Sequence, residues 1–216
     1  MSGLFITLEG GEGAGKTTLA QKLYDELTGR GYRVLKTREP GGSRLSEHIR
    51  EWLLRRDKEI KVGLNAELLL FLAARVQHLE EQVLPALEFG HIVLCDRYHD
   101  SSIAYQGKAR GLGMDYVEQM CTIASDNLWP DLTLYLDLSP EVGLSRTQVD
   151  GKYILDSIES EALHFHQQVQ EGFHILAQQN PERIHTIDAH VSPEEVFHHA
   201  MQNIEKALPQ LLKDEL

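Results

Sequence analysis

A chain of 216 residues with 42% apolar and 25% charged residues has the length and composition of one ordinary globular domain. Its net charge of −12, with no long Lys/Arg run, argues against nucleic acid as a partner, because a polyanion is held by clustered cations. Two isolated cysteines and no apolar stretch of membrane-spanning length argue against a disulfide framework and a membrane partner, and for a reduced, cytoplasmic setting.

The first apolar run, over 4–9, reads as a strand, and a helical pattern follows over 16–29. Between them lie Gly10, Gly11, Glu12, Gly13, Ala14, Gly15, Lys16, Thr17 and Thr18. A glycine-rich turn ending in Lys-Thr, with a strand before it and a helix after it, is a phosphate-binding loop in the required context. Glycine allows the backbone N–H groups to curl around an anion, Lys16 reaches the β/γ-phosphates, and the Thr17 hydroxyl suits Mg²⁺. A chance glycine turn would not supply spacing, lysine, threonine and flanking elements together. The segment Gly10–Thr18 is therefore expected to bind ATP.

A second strand over 33–37 runs into Thr37-Arg38-Glu39-Pro40-Gly41-Gly42, a turn by composition, with the Glu39 carboxylate at the strand end. Helices follow over 44–55 and 64–89. The longer carries Leu68, Leu69, Leu72, Val76, Leu79, Val83 and Leu87 on a helical period, with Pro85 predicting a kink. Within it Phe71 and Arg75 share a face, an aromatic ring beside a guanidinium. The next strand, 91–96, ends in Asp96-Arg97, where a carboxylate can hold the water shell of a loop-bound Mg²⁺ and a guanidinium can bridge two phosphates.

Helices over 100–106, 115–127, 140–149, 158–179 and 193–207 and strands over 132–138 and 184–188 complete the alternation. This pattern predicts an α/β fold: a five-stranded parallel sheet, helices on both faces, and the ligand beyond the carboxyl ends of the strands. With no repeats or linkers, 1–216 reads as one domain. The pairs His164/His166 and His198/His199 do not share a helix face, which excludes a zinc site built on them. The terminal Lys213-Asp214-Glu215-Leu216 spells a lumenal retention address, read as coincidence because nothing at the amino end resembles an entry signal.

Taken together, these residues resemble thymidylate kinases of the bacterial type, within the P-loop nucleoside monophosphate kinases. The resemblance runs through Glu9–Thr18, Thr37–Gly42, Phe71–Arg75, Asp96–Tyr98, Ser101–Gly107, Pro130–Asp137 and Glu141–Leu144. The loop alone is shared by many NTPases; Arg-Glu-Pro-Gly-Gly joined to Ala-Tyr-Gln-Gly is far more specific. What the resemblance implies is transfer of the ATP γ-phosphoryl group to thymidine monophosphate by a P-loop NTPase fold with a short lid, working as a homodimer with Mg²⁺. Lys16, Glu39, Arg97 and Arg146 would be catalytic, and Thr17 and Asp96 would hold the metal through water. Phe71 would stack on thymine, Ser102 and Gln106 would bond its polar edge, and Tyr105 would crowd the 2′ position. Arg50, Arg75 and Arg97 would hold the acceptor phosphate, with Glu39 near the 3′-hydroxyl. A methyl group is worth only ~1–3 kcal/mol in an apolar pocket, so some use of deoxyuridylate is expected.

The sequence departs from that family in its cations. Some relatives carry an arginine inside the loop, where this chain has Glu12; the bacterial type usually supplies arginines from the lid. The expected lid, about 146–157, offers Arg146 and Lys152, while Gln148, Asp150 and Ser157 stand where arginines would fit the pattern better. Three accounts follow: Arg146 or Lys152 suffices, Arg44 or Arg110 contributes, or transfer is slow. Arg146 is the preferred one.

Overall fold

Short apolar runs build the sheet. In the computed structural model, which describes residues 3–55, 60–148, 158 and 161–207, strands β1 (Leu4–Gly10), β2 (Val34–Arg38), β3 (Ile92–Asp96), β4 (Leu132–Asp137) and β5 (Ile184–Asp188) pair in parallel in the order β2-β3-β1-β4-β5. The central strands are buried on both faces, as expected of a parallel sheet with helices above and below. Side-chain alternation splits the core. Ile6 and Leu8 of β1 and Ile92 and Leu94 of β3 face one cluster, with Leu19 and Leu23 of α1 (Lys16–Gly29) and Ala200 and Ile204 of α9 (Pro193–Ala207). Phe5, Val93 and Cys95 face the opposite way, packing with Tyr98, Leu79 and Val83.

On that second face lie α3 (Leu64–His78), α6 (Met114–Ala124) and α8 (Leu163–Gln179), whose Leu68, Leu72, Val117, Cys121, Val169 and Phe173 form a third cluster with Tyr135. Helix α2 (Arg44–Arg55) packs on α3, and α7 (Pro140–Gln148) follows β4.

The structure corrects four helix boundaries, the simplest being the helix expected over 115–127, which ends at Ala124 because Asp126 and Asn127 turn to φ values of 51° and 61°. The single helix expected over 64–89 is α3, a π-helical stretch Leu79–Val83, and then α4 (Leu84–Glu88) with Pro85 in its first turn. Proline has no N–H to donate and its ring crowds the carbonyl four residues back; widening the preceding turn relieves both problems. The helix expected over 100–106 is a short α5 (His99–Ser102) running into a second π-helical stretch, Ile103–Ala109. The helix expected over 158–179 starts at Leu163. The apolar stripe of the long segment proves to be mainly core, with Leu68, Leu72, Leu79 and Val83 buried and Leu69 exposed.

Candidate active site

From β1 the chain crosses to β2 on one side of the sheet, and from β3 it crosses to β4 on the other. The carboxyl ends of β1 and β3 therefore sit side by side with their connections departing in opposite directions, which opens a crevice between them. The phosphate loop leaves β1 and the Asp96-Arg97-Tyr98 turn leaves β3.

In the loop Gly10, Gly13 and Gly15 take φ values of 142°, 67° and 96°, territory glycine enters without strain. Gly13 is also pressed against α7: a Cβ there would stand 2.1 Å from the Gly143 carbonyl oxygen, and one on Gly143 would stand 2.2 Å from that of Glu12. Lys16, at the start of α1, curls back to donate to the carbonyls of Gly10 and Gly11 at 3.1 and 2.7 Å. Burial and then the neighbouring Arg97 push its ammonium down to about 8. The Thr17 hydroxyl donates to Asp96 Oδ2 at 2.8 Å, joining the first and third strand ends.

Arg97 stands at the centre. Its φ of 73° is a left-handed conformation rare for arginine, costing on the order of 1 kcal/mol. Its guanidinium donates to Glu12 at 2.7 Å, the Gly10 carbonyl at 3.1 Å and the Tyr105 hydroxyl at 3.2 Å, and lies 5.0 Å from the Tyr105 ring centre. Tyr105 in turn donates to Glu12 at 2.8 Å. Burial would raise the Glu12 carboxyl, but Arg97 and Lys16 override it and hold the group down at about 2. The loop carboxylate is thus an anion clamped by two cations.

Farther along, Glu39 is buried between Arg75 (2.6 Å) and His78 (3.1 Å). Burial opposes its charge, yet Arg75 and His78 hold its carboxyl below the usual range. Arg75 also donates to the Tyr98 carbonyl and Ser102 Oγ, both at 3.0 Å, and to Cys121 Sγ at 3.2 Å, so its charge is already balanced inside the protein. Gln106 points its amide at Glu67 over 3.4 Å, and Arg50 reaches the Pro40 carbonyl at 2.8 Å. Half-buried Phe71 lies one helical turn before Arg75.

A cavity of about 380 Å³ runs from Gly13, Lys16 and Thr17 past Arg97 to Phe71 and Gln106. It is lined by Glu39, Arg50, Phe71, Arg75, Arg97, Ser102, Tyr105 and Gln106, the whole acceptor set named from sequence. Glu12, Gly15, Thr18 and Asp96 also line it, whereas Gly10, Gly11 and Ala14 shape the loop without lining it. Arg146 sits beside the loop, 3.4 Å from the Gly13 carbonyl and 3.3 Å from that of Ala189. Arg110 is held by Glu67 and Glu161, and Arg44 does not line the cavity. Lys152, Asp150, Ser157 and the Gln148 side chain lie outside the described residues, as does the rest of the lid expected up to 157, and so do residues 213–216.

Sequence reasoning passed over Glu9, His78, Glu67 and Ser101. His78 carried a signal: with Phe71 and Arg75 it completes an i, i+4, i+7 face. Glu9 carried a weaker one, a carboxylate ending an apolar strand, as Asp96 does.

Residues 8–200 match the family model described as Thymidylate kinase. The chain belongs to the thymidylate kinase family. A thymidylate kinase of Protochlamydia amoebophila is 50% identical over 209 residues, covering 94% of this chain and 93% of the relative. One from Shouchella clausii is 48% identical over 206 residues, covering 95% and 96%. Among solved structures, the crystal structure of thymidylate kinase from Ehrlichia chaffeensis aligns with a TM-score of 0.77 at 30% identity, over 94% of this chain and all of that one. The family's P-loop fold is the α/β architecture described above.

Metal donors are sparse but suitable. Thr17 Oγ1 and Asp96 Oδ2 converge at the loop, both hard oxygen donors, and among the described residues no group of three or more His, Cys, Asp or Glu could cage a metal ion. Two oxygen donors beside a phosphate cradle fit Mg²⁺, which keeps waters and binds through few carboxylates plus substrate oxygens.

Proposed function

We propose that this enzyme transfers the γ-phosphoryl group of ATP to the 5′-phosphate of thymidine monophosphate, giving ADP and the diphosphate, in a single domain spanning 1–216. The observation that carries this reading is the continuity of the cavity, with a triphosphate cradle at one end, an aromatic and amide-lined pocket at the other, and Arg97 between them. The acceptor oxygen is already anionic near neutral pH, since a phosphate monoester loses its second proton near about 6. No strong base is needed, and positioning with charge neutralisation carries the rate.

Lys16 holds the donor phosphates and Arg97 spans donor and acceptor. Arg50 adds charge at the acceptor end. Arg75, its charge balanced by Glu39, contributes directed N–H groups and fixes Ser102, while Phe71 stacks on the base and Gln106 bonds its edge. Glu39 stays ionised near the 3′-hydroxyl, and Tyr105, fixed by Glu12, fills the space a 2′-hydroxyl would take. Mg²⁺, held through Thr17 and Asp96 with water, would neutralise charge on the β- and γ-phosphates. Arg146, beside Gly13, is the extra cation at the donor end.

A homodimer fits the surface. Leu45 and Trp52 of α2 and Leu64 and Leu69 of α3, two helices packed on each other, are all more than a third exposed. Among the described residues no helix is long and apolar enough to cross a membrane, and both cysteines are free and buried, in keeping with a cytoplasmic enzyme.

The decisive experiment offers a panel of nucleoside monophosphates with Mg-ATP and scores diphosphate formation. Thymidylate should be used best and deoxyuridylate roughly tenfold to a hundredfold less well, the worth of one methyl. Preference for a purine monophosphate, or ATP turnover with no acceptor, would reject the reading.

A further inference from the structure

Glu9 is fully buried at the end of β1, does not line the cavity, and spends both carboxylate oxygens on the turn after β3. Oε1 accepts from the Tyr98 backbone N–H at 2.7 Å and Oε2 from the Ser101 hydroxyl at 2.5 Å. Ser101 Oγ in turn accepts from the Arg97 guanidinium at 3.3 Å, while the Arg97 backbone N–H donates to the Leu8 carbonyl at 3.0 Å. Leu8 and Glu9, adjacent in β1, thus hold the left-handed Arg97 together: Leu8 takes its backbone N–H, while Glu9 takes the N–H of the next peptide and reaches the Arg97 guanidinium through Ser101.

We propose that Glu9 is a positioning residue for phosphoryl transfer, clamping the 96–101 turn so that the Arg97 guanidinium is held between the two phosphates. This rests on the bridging role given to Arg97 above. A carboxylate anion can accept both bonds. Its acid form must turn one oxygen into a donor, and then either the Tyr98 N–H or the Ser101 O–H loses its acceptor. The clamp is therefore complete only in the ionised state.

The surroundings place that ionisation in a useful range. Burial and the Asp100 carboxylate push Glu9 up, while the Ser101 hydrogen bond, Arg97 and the Tyr98 N–H pull it down, and the balance lies at about 7. Lys16 and Arg183 face it as further positive charges, and the Cys95 thiol, itself pushed well up by burial, is a neutral neighbour. Arg183 is committed to Asp100, at 2.7 and 2.8 Å.

The test measures kcat against pH for the full-length enzyme, Glu9→Gln and Ser101→Ala, with the affinity for Mg-ATP followed separately. The wild-type kcat should rise through an ionisation near 7, distinct from the acceptor phosphate, which titrates in every variant. Glu9→Gln should lose that rise and at least tenfold in kcat, with ATP affinity changed less than threefold. Ser101→Ala leaves the carboxylate in place but removes a bond that favours its anion, so the ionisation should move to higher pH; this variant serves even if Glu9→Gln does not fold. A rise that survives Glu9→Gln, one that stays put in Ser101→Ala, or equal losses in kcat and ATP affinity would each overturn the clamp. Arg97→Ala separates the two claims, since a kcat that survives it refutes the bridging role itself.

Discussion

Thr17 and Asp96 meet across the crevice at 2.8 Å, a hydroxyl from the start of α1 and a carboxylate from the end of β3, 79 residues apart in the chain. This contact ties the donor loop to the strand that carries Arg97. Asp96→Asn preserves shape and removes charge. We expect kcat to fall about a hundredfold, equivalent to ~2.7 kcal/mol of transition-state stabilisation, and the Mg²⁺ concentration for half-maximal rate to rise. A wild-type Mg²⁺ requirement in the variant would remove Asp96 from the metal site.

Arg75 and Glu39 form a nearly buried ion pair, their side chains only 3% and 4% exposed. Removing one partner strands the other, so Arg75→Ala should cost about 3–5 kcal/mol of stability by urea unfolding. KM for thymidylate should rise at least tenfold while ATP affinity stays within about twofold. Adding Glu39→Gln should recover part of the stability and none of the thymidylate use. Equal losses for both substrates would undo the assignment of Arg75 to the acceptor end.

Arg146 and Lys152 divide the question of the extra cation. Arg146 lies 3.4 Å from the Gly13 carbonyl, so Arg146→Ala should lower kcat about tenfold, or ~1.4 kcal/mol, with Lys152→Ala milder. If both single variants keep the wild-type rate, the donor end needs no cation beyond Lys16 and Arg97.

His99 is buried against Tyr98 and Trp129, and among the described residues neither ring nitrogen has a hydrogen-bond partner. Burial first, then Arg75 and Arg183, pushes its pKa well below the ordinary histidine value. The unfolded chain then binds a proton that the folded one refuses, so the stability it allows is present above about 6.5 and is lost as pH falls below it, by up to ~1.4 kcal/mol per pH unit. His99→Phe keeps the stacking and removes the titration. The variant should gain stability over wild type at pH 5.5 relative to pH 7.5, measured by urea unfolding; a constant difference between the two would contradict this.

Strands and loop could be read from sequence because their signals are local: an apolar run, a glycine at a forced φ, a lysine at fixed spacing. Phe71 and Arg75 were found through helix periodicity and family likeness. The π-helical stretches left no such trace. Ile103–Ala109, which delivers Tyr105 and Gln106, is fixed by contacts from elsewhere: a Cβ on Gly107 would stand 3.0 Å from the Met114 Cα, and one on Gly172 of α8 3.0 Å from the Ala104 Cα. Glu9 was invisible for a similar reason, since its partners lie 89 and 92 residues away. Arg75 was grouped with the phosphate by its charge, and only the fold reveals that Glu39, 36 residues earlier, has already balanced it.

The Gly13–Gly143 contact sets a limit on modularity. With the loop backbone seated directly on α7, neither Gly13 nor Gly143 has room for a Cβ, so the two positions constrain each other in any exchange of loop or helix. A loop with a bulkier residue at position 13 would need an α7 that gives way at position 143, the same helix that carries Arg146.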